Sequence, residues 1–250
     1  MKPLRLRTPK PYVNNNVATQ DRKSVFYLIA EGPTEESYFK GILNNRVELE
    51  IRNNIHVEIV PKEEGDENMS HPYQLVMAAL TYMGRLDEVG NEIKKDKWKE
   101  NCKWDYQDDV DKVYVIFDRD YRHLEDKLDK IYELCKKHNI YIGISNPNFE
   151  LWLLMHFPNI DKYDKDMLLK NPKNLKNKLF SDASKDKKYL EILVSKVSGG
   201  YTKGNSLKFE RFVDGVDLAI EQEHLFCEDD EALQDALGSN IGRLLQEMKS

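Results

Sequence analysis

Residues 112–121 read KVYVIFDRDY, a short apolar run that ends in two acidic residues, Asp118 and Asp120. An uninterrupted apolar run of this length is typical of a strand buried on both faces of a parallel sheet. Residues 25–36, VFYLIAEGPTEE, repeat the pattern and place Glu31 at the end of the run. Open α/β folds bind their ligands at the carboxyl ends of such strands. The two stretches therefore predict an α/β sheet with acidic side chains along one rim.

The chain around these two stretches alternates between strand and helix patterns. Further strands are predicted at 55–60 and 141–145. Apolar residues at helical spacing follow the turn Gly32-Pro33-Thr34, follow Pro72 and recur across 124–137. Such an alternation predicts a mostly parallel sheet with helices on both faces.

The sequence beyond Pro158 departs from this alternation. It is rich in lysine and mainly helical, and two amphipathic helices are predicted at its end, one through 209–216 and one through 233–244. The first residues of the chain form a basic arm. We therefore divide the chain into a basic N-terminal arm (1–23), a catalytic core (24–158) and a lysine-rich, helical C-terminal region that completes the site (159–250).

Composition restricts the class of protein. The chain has 250 residues, of which 40% are hydrophobic, enough for one substantial core. No apolar run approaches the roughly 18 to 20 residues that span a bilayer, and no secretory segment is recognisable. Cys102, Cys135 and Cys227 are too far apart for a zinc motif or a disulfide framework. We expect a soluble, cytoplasmic protein that does not act at a membrane.

Charge is unevenly distributed along the chain. The formal net charge is −6, yet residues 162–208 carry twelve lysines against five acids. A basic stretch beside an acidic site can follow a phosphate backbone, although a solvated surface has the same composition. The candidate nucleic-acid contacts are Lys173, Lys176, Lys178, Tyr201 and Lys203.

The Asp118-Arg119-Asp120 triplet is open to three interpretations. The acids can cap the helix that follows. They also resemble the nucleophile motif of haloacid-dehalogenase-type phosphatases, but Tyr121 replaces the usual short apolar or threonine step and a strand-helix-strand-helix segment precedes the motif. In the third interpretation, which we favour, they join Glu31 in a metal site at the rim of the sheet.

Four motifs in order carry a resemblance to a known family. They are AEGPTEESYFKGI (30–42), VIFDRD (115–120), SNPNFELWLLMHF (145–157) and YTKGN (201–205). Together they resemble the RloB-like family, a Toprim-type group related to overcoming-lysogenization-defect nucleases and associated with bacterial restriction and anti-phage loci. The resemblance covers about residues 25–205, and it implies a Toprim-like α/β fold.

The resemblance also implies roles for individual residues. Glu31 would be a metal ligand or proton-transfer group, and Asp118 and Asp120 would hold Mg²⁺ or Mn²⁺. Glu35 matches the second acid of the nuclease-type sites, and the late Lys203 matches a catalytic lysine. Carboxylate oxygens are the ligands that these hard cations prefer, so the chemistry agrees with the resemblance.

Glu150 is an acid set into the apolar helix pattern FELWLL (149–154). It is either exposed on the outer face of the helix or buried and partnered, because an unpaired buried carboxylate is expensive. We favour metal ligation or support of the metal ligands. Ser145 and Asn146, in the turn before the helix, are further candidates for hydrogen-bonding support of the ligands.

These expectations lead to a metal-dependent endonuclease of bacterial anti-phage defence. Its substrate is DNA or RNA, transfer RNA included, because the sequence does not distinguish them. The resemblance implies an ATPase or sensor protein encoded nearby as a partner, and self-association into a homo-oligomer stays open. The alternative is a non-catalytic Toprim-like module that binds nucleic acid or a partner protein through its basic stretches.

Overall fold

A five-stranded sheet organises the fold. The computed structural model describes residues 24–60, 71–119, 128–173 and 187–249. The strands are β1 (Ser24–Ala30), β2 (Ile55–Ile59), β3 (Lys112–Asp118), β4 (Ile140–Asn146) and β5 (Gly238–Ser239). They form one mostly parallel sheet in the order β2-β1-β3-β4-β5, in which β1 and β2 are parallel and β5 runs antiparallel to β4. The predicted α/β fold is confirmed.

The helices follow the predicted alternation and dominate the C-terminal region. They are α1 (Pro33–Asn44), α2 (Pro72–Tyr82), α3 (Trp98–Asn101), α4 (Leu128–His138), α5 (Phe149–Leu154), α6 (Lys165–Lys170), α7 (Tyr189–Val197), α8 (Val216–Glu223) and α9 (Ile241–Lys249). Both α1 and α2 begin at a proline, whose fixed φ suits the first turn of a helix. Within the described ranges, no helix is long and apolar enough to cross a membrane.

The chain forms two compact units that alternate along the sequence. The first unit contains the described residues 24–31, 53–60, 71–115 and 128–141. The second contains 32–52, 116–119, 142–173 and 187–249. The division predicted from the sequence, at residue 158, stays a prediction.

Aromatic side chains form the core of the first unit. The indole of Trp104 stacks between the rings of Tyr27 and Tyr82, at centroid distances of 4.4 and 4.8 Å. Phe26 and Tyr114 stack at 6.0 Å. All five side chains are buried. Since Tyr27 and Phe26 lie on β1 and Tyr114 on β3, these contacts hold the apolar strands that the sequence predicts.

Tyr38 of α1 is the centre of the core of the second unit. Its ring lies edge-on to the rings of Phe149, Trp152 and Phe209, at centroid distances of 5.4, 6.4 and 5.3 Å. Its hydroxyl is 3.0 Å from Nε2 of His156. Burial lowers the pKa of His156 to about 4, so the imidazole is neutral at physiological pH. These contacts fix α1 against α5, the two helices that carry Glu35 and Glu150.

The two amphipathic helices predicted at the C-terminal end are wrong in their extents. Short 3-10 turns occupy Phe209–Arg211 and Val213–Gly215, and only at Val216 does α8 begin. The second pattern is interrupted by β5, and α9 begins at Ile241. A Cβ atom at Gly238 would clash with the carbonyl oxygen of Cys227, so two backbone segments approach each other closely at this glycine. The apolar spacing predicts a helix here, and the chain instead forms β5.

Glu223 is a buried carboxylate in the second unit. It lies at the end of α8, is 1% exposed, and its Oε1 accepts a hydrogen bond of 3.0 Å from the backbone N–H of Gly242 in α9. Burial raises the pKa of Glu223 to about 7, although hydrogen bonds from Gly242 and Ser239 oppose the rise. Near neutral pH the folded protein therefore holds a proton that the unfolded chain releases.

This carboxylate makes stability depend on pH. Because the pKa of Glu223 is higher in the folded protein than in the unfolded chain, protonation of Glu223 contributes to stability. This contribution is fully present below pH 4.5 and is lost as pH rises through about 7. We expect Glu223→Gln to flatten this dependence and to raise the free energy of unfolding by about 2–3 kcal/mol near pH 8. Denaturant unfolding at several pH values measures the effect. Glu221→Gln, at an exposed position of the same helix, is the control, and equal slopes for both variants would contradict the assignment.

Candidate functional site

The first turn of α1 places two buried polar residues, Thr34 and Glu35, in the second unit. A helix N-terminus favours a carboxylate, because the unpaired N–H groups of the first turn carry a partial positive charge. A Cβ atom at Gly32 would lie 2.7 Å from Oε2 of Glu35, so the end of the Glu35 side chain lies against the backbone just before the helix.

Asp118 is the last residue of β3 and connects that strand to α5. Its Oδ1 accepts a hydrogen bond of 2.8 Å from the backbone N–H of Phe149, the first residue of α5. That N–H is one of the donors that a helix start leaves without an intrahelical partner. The predicted metal ligand thus also holds in place the helix that carries Glu150.

Glu150 is buried and partnered, the second of the two arrangements that the sequence left open. Its side chain is 1% exposed, its Oε1 accepts a 2.8 Å hydrogen bond from the Tyr201 hydroxyl, and Nζ of Lys203 lies 3.0 Å away. Its other oxygen, Oε2, is buried and has no hydrogen-bond partner among the described residues. Burial raises the pKa of Glu150, whereas the charge of Lys203 and the hydrogen bonds from Lys203 and Tyr201 lower it. The lysine, not solvent, compensates this carboxylate.

Lys203 lies among several carboxylates. Besides Glu150, Oε1 of Glu191 in α7 lies 3.6 Å from its ammonium. Burial lowers the pKa of Lys203, but the attraction and hydrogen bond of Glu150 raise it more. The charges of Asp118 and Glu191 add to this rise, and the net pKa lies above the ordinary range. Lys203 is therefore a permanent cation among acids. We define the acidic cluster as Glu35, Asp118, Glu150, Glu191, Tyr201 and Lys203, in which Glu35 is included because its charge acts on Tyr201.

The loop that carries Lys203 is anchored to α1. The backbone N–H of Gly204 donates a hydrogen bond of 2.8 Å to Oγ1 of Thr34, the residue beside Glu35. The backbone N–H of Tyr201 donates to Oγ of Ser195 in α7, at 3.2 Å. Two elements thus hold the loop at both ends, and Lys203 is positioned between them.

Tyr201 is an internal member of the acidic cluster. Its side chain is buried, and burial, followed by the charge of Glu150, raises its pKa above the ordinary range. The hydroxyl therefore stays protonated and donates to Glu150. Because little of the ring is exposed, it offers little surface on which a base could stack. Its predicted contact with nucleic acid stays a prediction.

Other predicted site residues lie elsewhere. Glu31 follows β1 in the first unit and is half-buried, and its predicted approach to the acids of the second unit stays a prediction. Lys173 is exposed and forms an isolated antiparallel bridge with Lys188. The remaining candidates Asp120, Lys176 and Lys178 lie outside the described residues.

Ser145 and Asn146 attach β4 to the C-terminal segment. Oγ of Ser145 lies 3.2 Å from Oγ of Ser239, and the Asn146 amide donates a 2.9 Å hydrogen bond to the carbonyl of Leu233. Both side chains are buried. These contacts support the segment that leads into α9, and the predicted support of metal ligands by Ser145 and Asn146 stays a prediction.

Sequence reasoning missed two residues of this region. In the sequence, Glu191 is one of the five acids that offset the lysines of residues 162–208. Nothing in its spacing indicates that α7 places it beside Lys203. Asn148 stands in the quoted motif before Glu150 and is completely buried, and neither Oδ1 nor Nδ2 has a hydrogen-bond partner among the described residues. A buried amide without a protein partner is uncommon and indicates a place where water or a ligand can bind.

The structure gives no direct test of the predicted metal. Across the described parts of the chain, no group of three or more His, Cys, Asp or Glu side chains is arranged so as to hold a metal ion. Asp120, one of the predicted carboxylates, lies outside the described residues. Metal binding therefore stays a prediction.

Comparison with known proteins identifies the family. The model of RloB-like proteins matches residues 26–248, nearly the whole chain, and the chain therefore belongs to the RloB-like family. The resemblance drawn from the four motifs is confirmed. No curated protein and no solved structure matches the chain.

Proposed function

We propose that this protein is a Mg²⁺- or Mn²⁺-dependent endonuclease that cleaves phosphodiester bonds at the acidic cluster. The observation that carries the proposal is the placement of a charged lysine beside the buried carboxylate of Glu150 and the half-buried carboxylates of Asp118 and Glu191. Lys203 lies 3.0 Å from Glu150, which is buried, and is attracted by Asp118 and Glu191. Concentrating charge in this way is costly for stability alone, and it is typical of sites that bind and transform charged substrates.

The side chains of the site are of the chemical type that a hard divalent cation prefers. Asp118 and Glu35 offer carboxylate oxygens, and buried Oε2 of Glu150 has no hydrogen-bond partner among the described residues. Asp118 and Glu35 would hold the cation, with Glu31 and Asp120 assigned to the same ligand set from their sequence positions. When bound, such a cation supplies an activated water and neutralises charge on the phosphate.

The protein's own groups have separate tasks in this proposal. Lys203 directs a permanent positive charge at the phosphate oxygens, where negative charge increases during cleavage. Glu150 and Tyr201 position that ammonium. Their side chains are buried, and Oε1 of Glu150 contacts the Lys203 ammonium as well as the Tyr201 hydroxyl. Asp118 holds the start of α5 through Phe149 and so keeps Glu150 in place.

Membership of the RloB-like family supports the biological part of the proposal. We infer that the nuclease acts in bacterial defence against phage, on DNA or RNA, and that a sensor or ATPase encoded nearby activates it. A cytoplasmic location follows from such a role. Transfer RNA belongs among the substrates to be tested.

One observation favours a second function, a binding module without activity. Lys203 already compensates Glu150 and Glu191 within the chain, so these two acids do not need a metal ion to be held together. Such a module would bind nucleic acid or a partner protein through the basic residues of the second unit. The two functions differ in whether strands are cut.

Incubation with nucleic acid distinguishes the two functions. Duplex DNA, single-stranded DNA and total RNA that includes transfer RNA are each incubated with the protein in Mg²⁺, in Mn²⁺ and in EDTA. Cleavage of at least one substrate is expected with metal and not with EDTA. Binding of nucleic acid without strand scission in either metal, with the neighbouring partner proteins added, would support the binding module and contradict the nuclease.

A further inference from the structure

A small polar cavity lies beside the acidic cluster, within the second unit. It has a volume of about 240 Å³. Its lining includes two basic side chains, those of Lys208 and Arg211, and three hydroxyl groups, those of Ser195, Thr202 and Ser206. Among the described residues that line it there is no acid. Cations and hydroxyl donors without a carboxylate are the groups that bind a phosphate.

We propose that this cavity binds a phosphate of the nucleic-acid strand other than the one that is cleaved. The inference rests on the proposed function, since it assumes a nucleic-acid substrate whose backbone contacts both the acidic cluster and the cavity beside it. The scissile phosphate would lie at the acidic cluster, and a second phosphate of the same strand would lie between Lys208 and Arg211. The cavity would set the register of the strand without reading its bases, because contacts to phosphates carry no sequence information.

Tyr201 and its neighbour connect the two places. The hydroxyl of Tyr201 donates to Glu150 in the acidic cluster, and the same residue lines the cavity. Thr202 lines the cavity as well, and Lys203 directly follows it in the chain. Lys203 is therefore only one or two residues from the lining of the cavity. A nucleic-acid strand that contacts Lys203 with one phosphate would bring a neighbouring phosphate to the cavity.

Arg211 is held in a position suited to an anion. Its Nη1 donates to the carbonyl oxygen of Gly200, and its guanidinium would lie 3.0 Å from a Cβ atom at that glycine. A guanidinium has five N–H donors in a fixed plane, so one bond to the loop leaves others for a ligand. The glycine and the carbonyl thus orient the group before any ligand arrives.

The size of the cavity limits what it can bind. Pockets for drug-sized molecules occupy about 300–1,000 Å³, and one water takes about 30 Å³ of liquid volume. A cavity of about 240 Å³ therefore fits a phosphate group with part of its sugar or a few waters.

Binding measured without metal tests the inference separately from cleavage. The probes are short fluorescein-labelled single strands of DNA and of RNA, titrated in EDTA over a range of salt concentrations and followed by fluorescence anisotropy. We expect Lys208→Gln and Arg211→Gln each to weaken binding about tenfold. Each should also lower the slope of log affinity against log salt by about 0.7, the value for one phosphate contact on a single strand.

Matched variants control for general effects of charge and folding. Lys196→Gln removes an exposed lysine from α7 outside the cavity and should leave affinity and slope nearly unchanged. Arg211→Lys keeps the charge but loses the planar donors, so it should weaken binding while the salt slope stays close to that of the wild type. Thermal melting of every variant shows whether the fold is retained.

The outcomes separate this inference from the nuclease proposal. The inference is overturned if Lys208→Gln and Arg211→Gln bind both strands like the wild type, even when the protein cleaves nucleic acid. It is also overturned if wild-type protein binds neither strand. The same holds if inorganic phosphate displaces the labelled strand equally well from the wild type and from the double variant Lys208→Gln, Arg211→Gln. Weakened binding with reduced slopes supports it, even when no cleavage is detected with either metal.

Discussion

Replacing Asp118 with asparagine is expected to lower the rate of the proposed metal-dependent cleavage about a thousandfold, because loss of a charged ligand from the proposed metal site would remove several kcal/mol of transition-state stabilisation. Asparagine keeps an oxygen that can accept the 2.8 Å hydrogen bond from the backbone N–H of Phe149. The start of α5 should therefore be retained, and only the charge is lost. The measurement is the initial rate of cleavage at saturating Mg²⁺ or Mn²⁺, together with a thermal melt.

Two further variants define the interpretation. Asp118→Ala removes the acceptor as well as the charge, so it should also destabilise the protein, by about 1–3 kcal/mol for the hydrogen-bond donor left unpaired. Asp166→Asn removes an acid that is 84% exposed in α6 and should leave cleavage unchanged. Cleavage by Asp118→Asn at the wild-type rate would show that this carboxylate holds only the helix and that the metal site is not where we place it.

The strands could be predicted because local patterns determine them. The apolar runs that end at Glu31 and Asp118 correspond to β1 and β3, and the observed strands agree with the predicted ones to within a residue at each end. A strand buried on both faces has a signature that a short window can show. The prolines that begin α1 and α2 are equally local signals.

The partners within the acidic cluster could not be predicted, because they depend on how distant segments return. Tyr201 donates to Glu150 across 51 positions of the chain, and no spacing rule connects these residues. Glu191 looks like an ordinary acid in a basic stretch until α7 places it beside Lys203. The sequence therefore identified Glu150 and Lys203 as candidates, while the ion pair between them required the fold.

The C-terminal region shows the opposite case, in which a local pattern was misleading. Apolar spacing from Leu233 to Leu244 fits a single helix, but Gly238 and Ser239 pair with the end of β4 instead. Asn240 adds a side-chain oxygen that accepts the backbone N–H of Ile144 at 2.7 Å. Tertiary hydrogen bonds of this kind outweigh a helical preference that is worth only a few tenths of a kcal/mol per residue.

Replacing Lys203 with methionine is expected to destabilise the protein by about 2–4 kcal/mol near neutral pH, since it leaves the buried Glu150 carboxylate without its cation. The value extends below the range of about 3–5 kcal/mol for broken buried pairs because the lysine side chain is 48% exposed and partly screened. Burial already raises the pKa of Glu150, and the variant removes the charge that opposes this rise. The destabilisation should therefore grow as pH rises above 4.5 and should vanish below it.

A double-mutant cycle separates the ion pair from the loss of lysine packing. Glu150→Gln combined with Lys203→Met removes both charges, so it should recover most of the stability and lose the dependence on pH. The glutamine can still accept a hydrogen bond from the Tyr201 hydroxyl, which keeps that contact comparable. Denaturant unfolding at several pH values measures all four proteins. If Lys203→Met is equally destabilised above and below pH 4.5, Lys203 acts through packing, and the buried carboxylate is compensated by other groups.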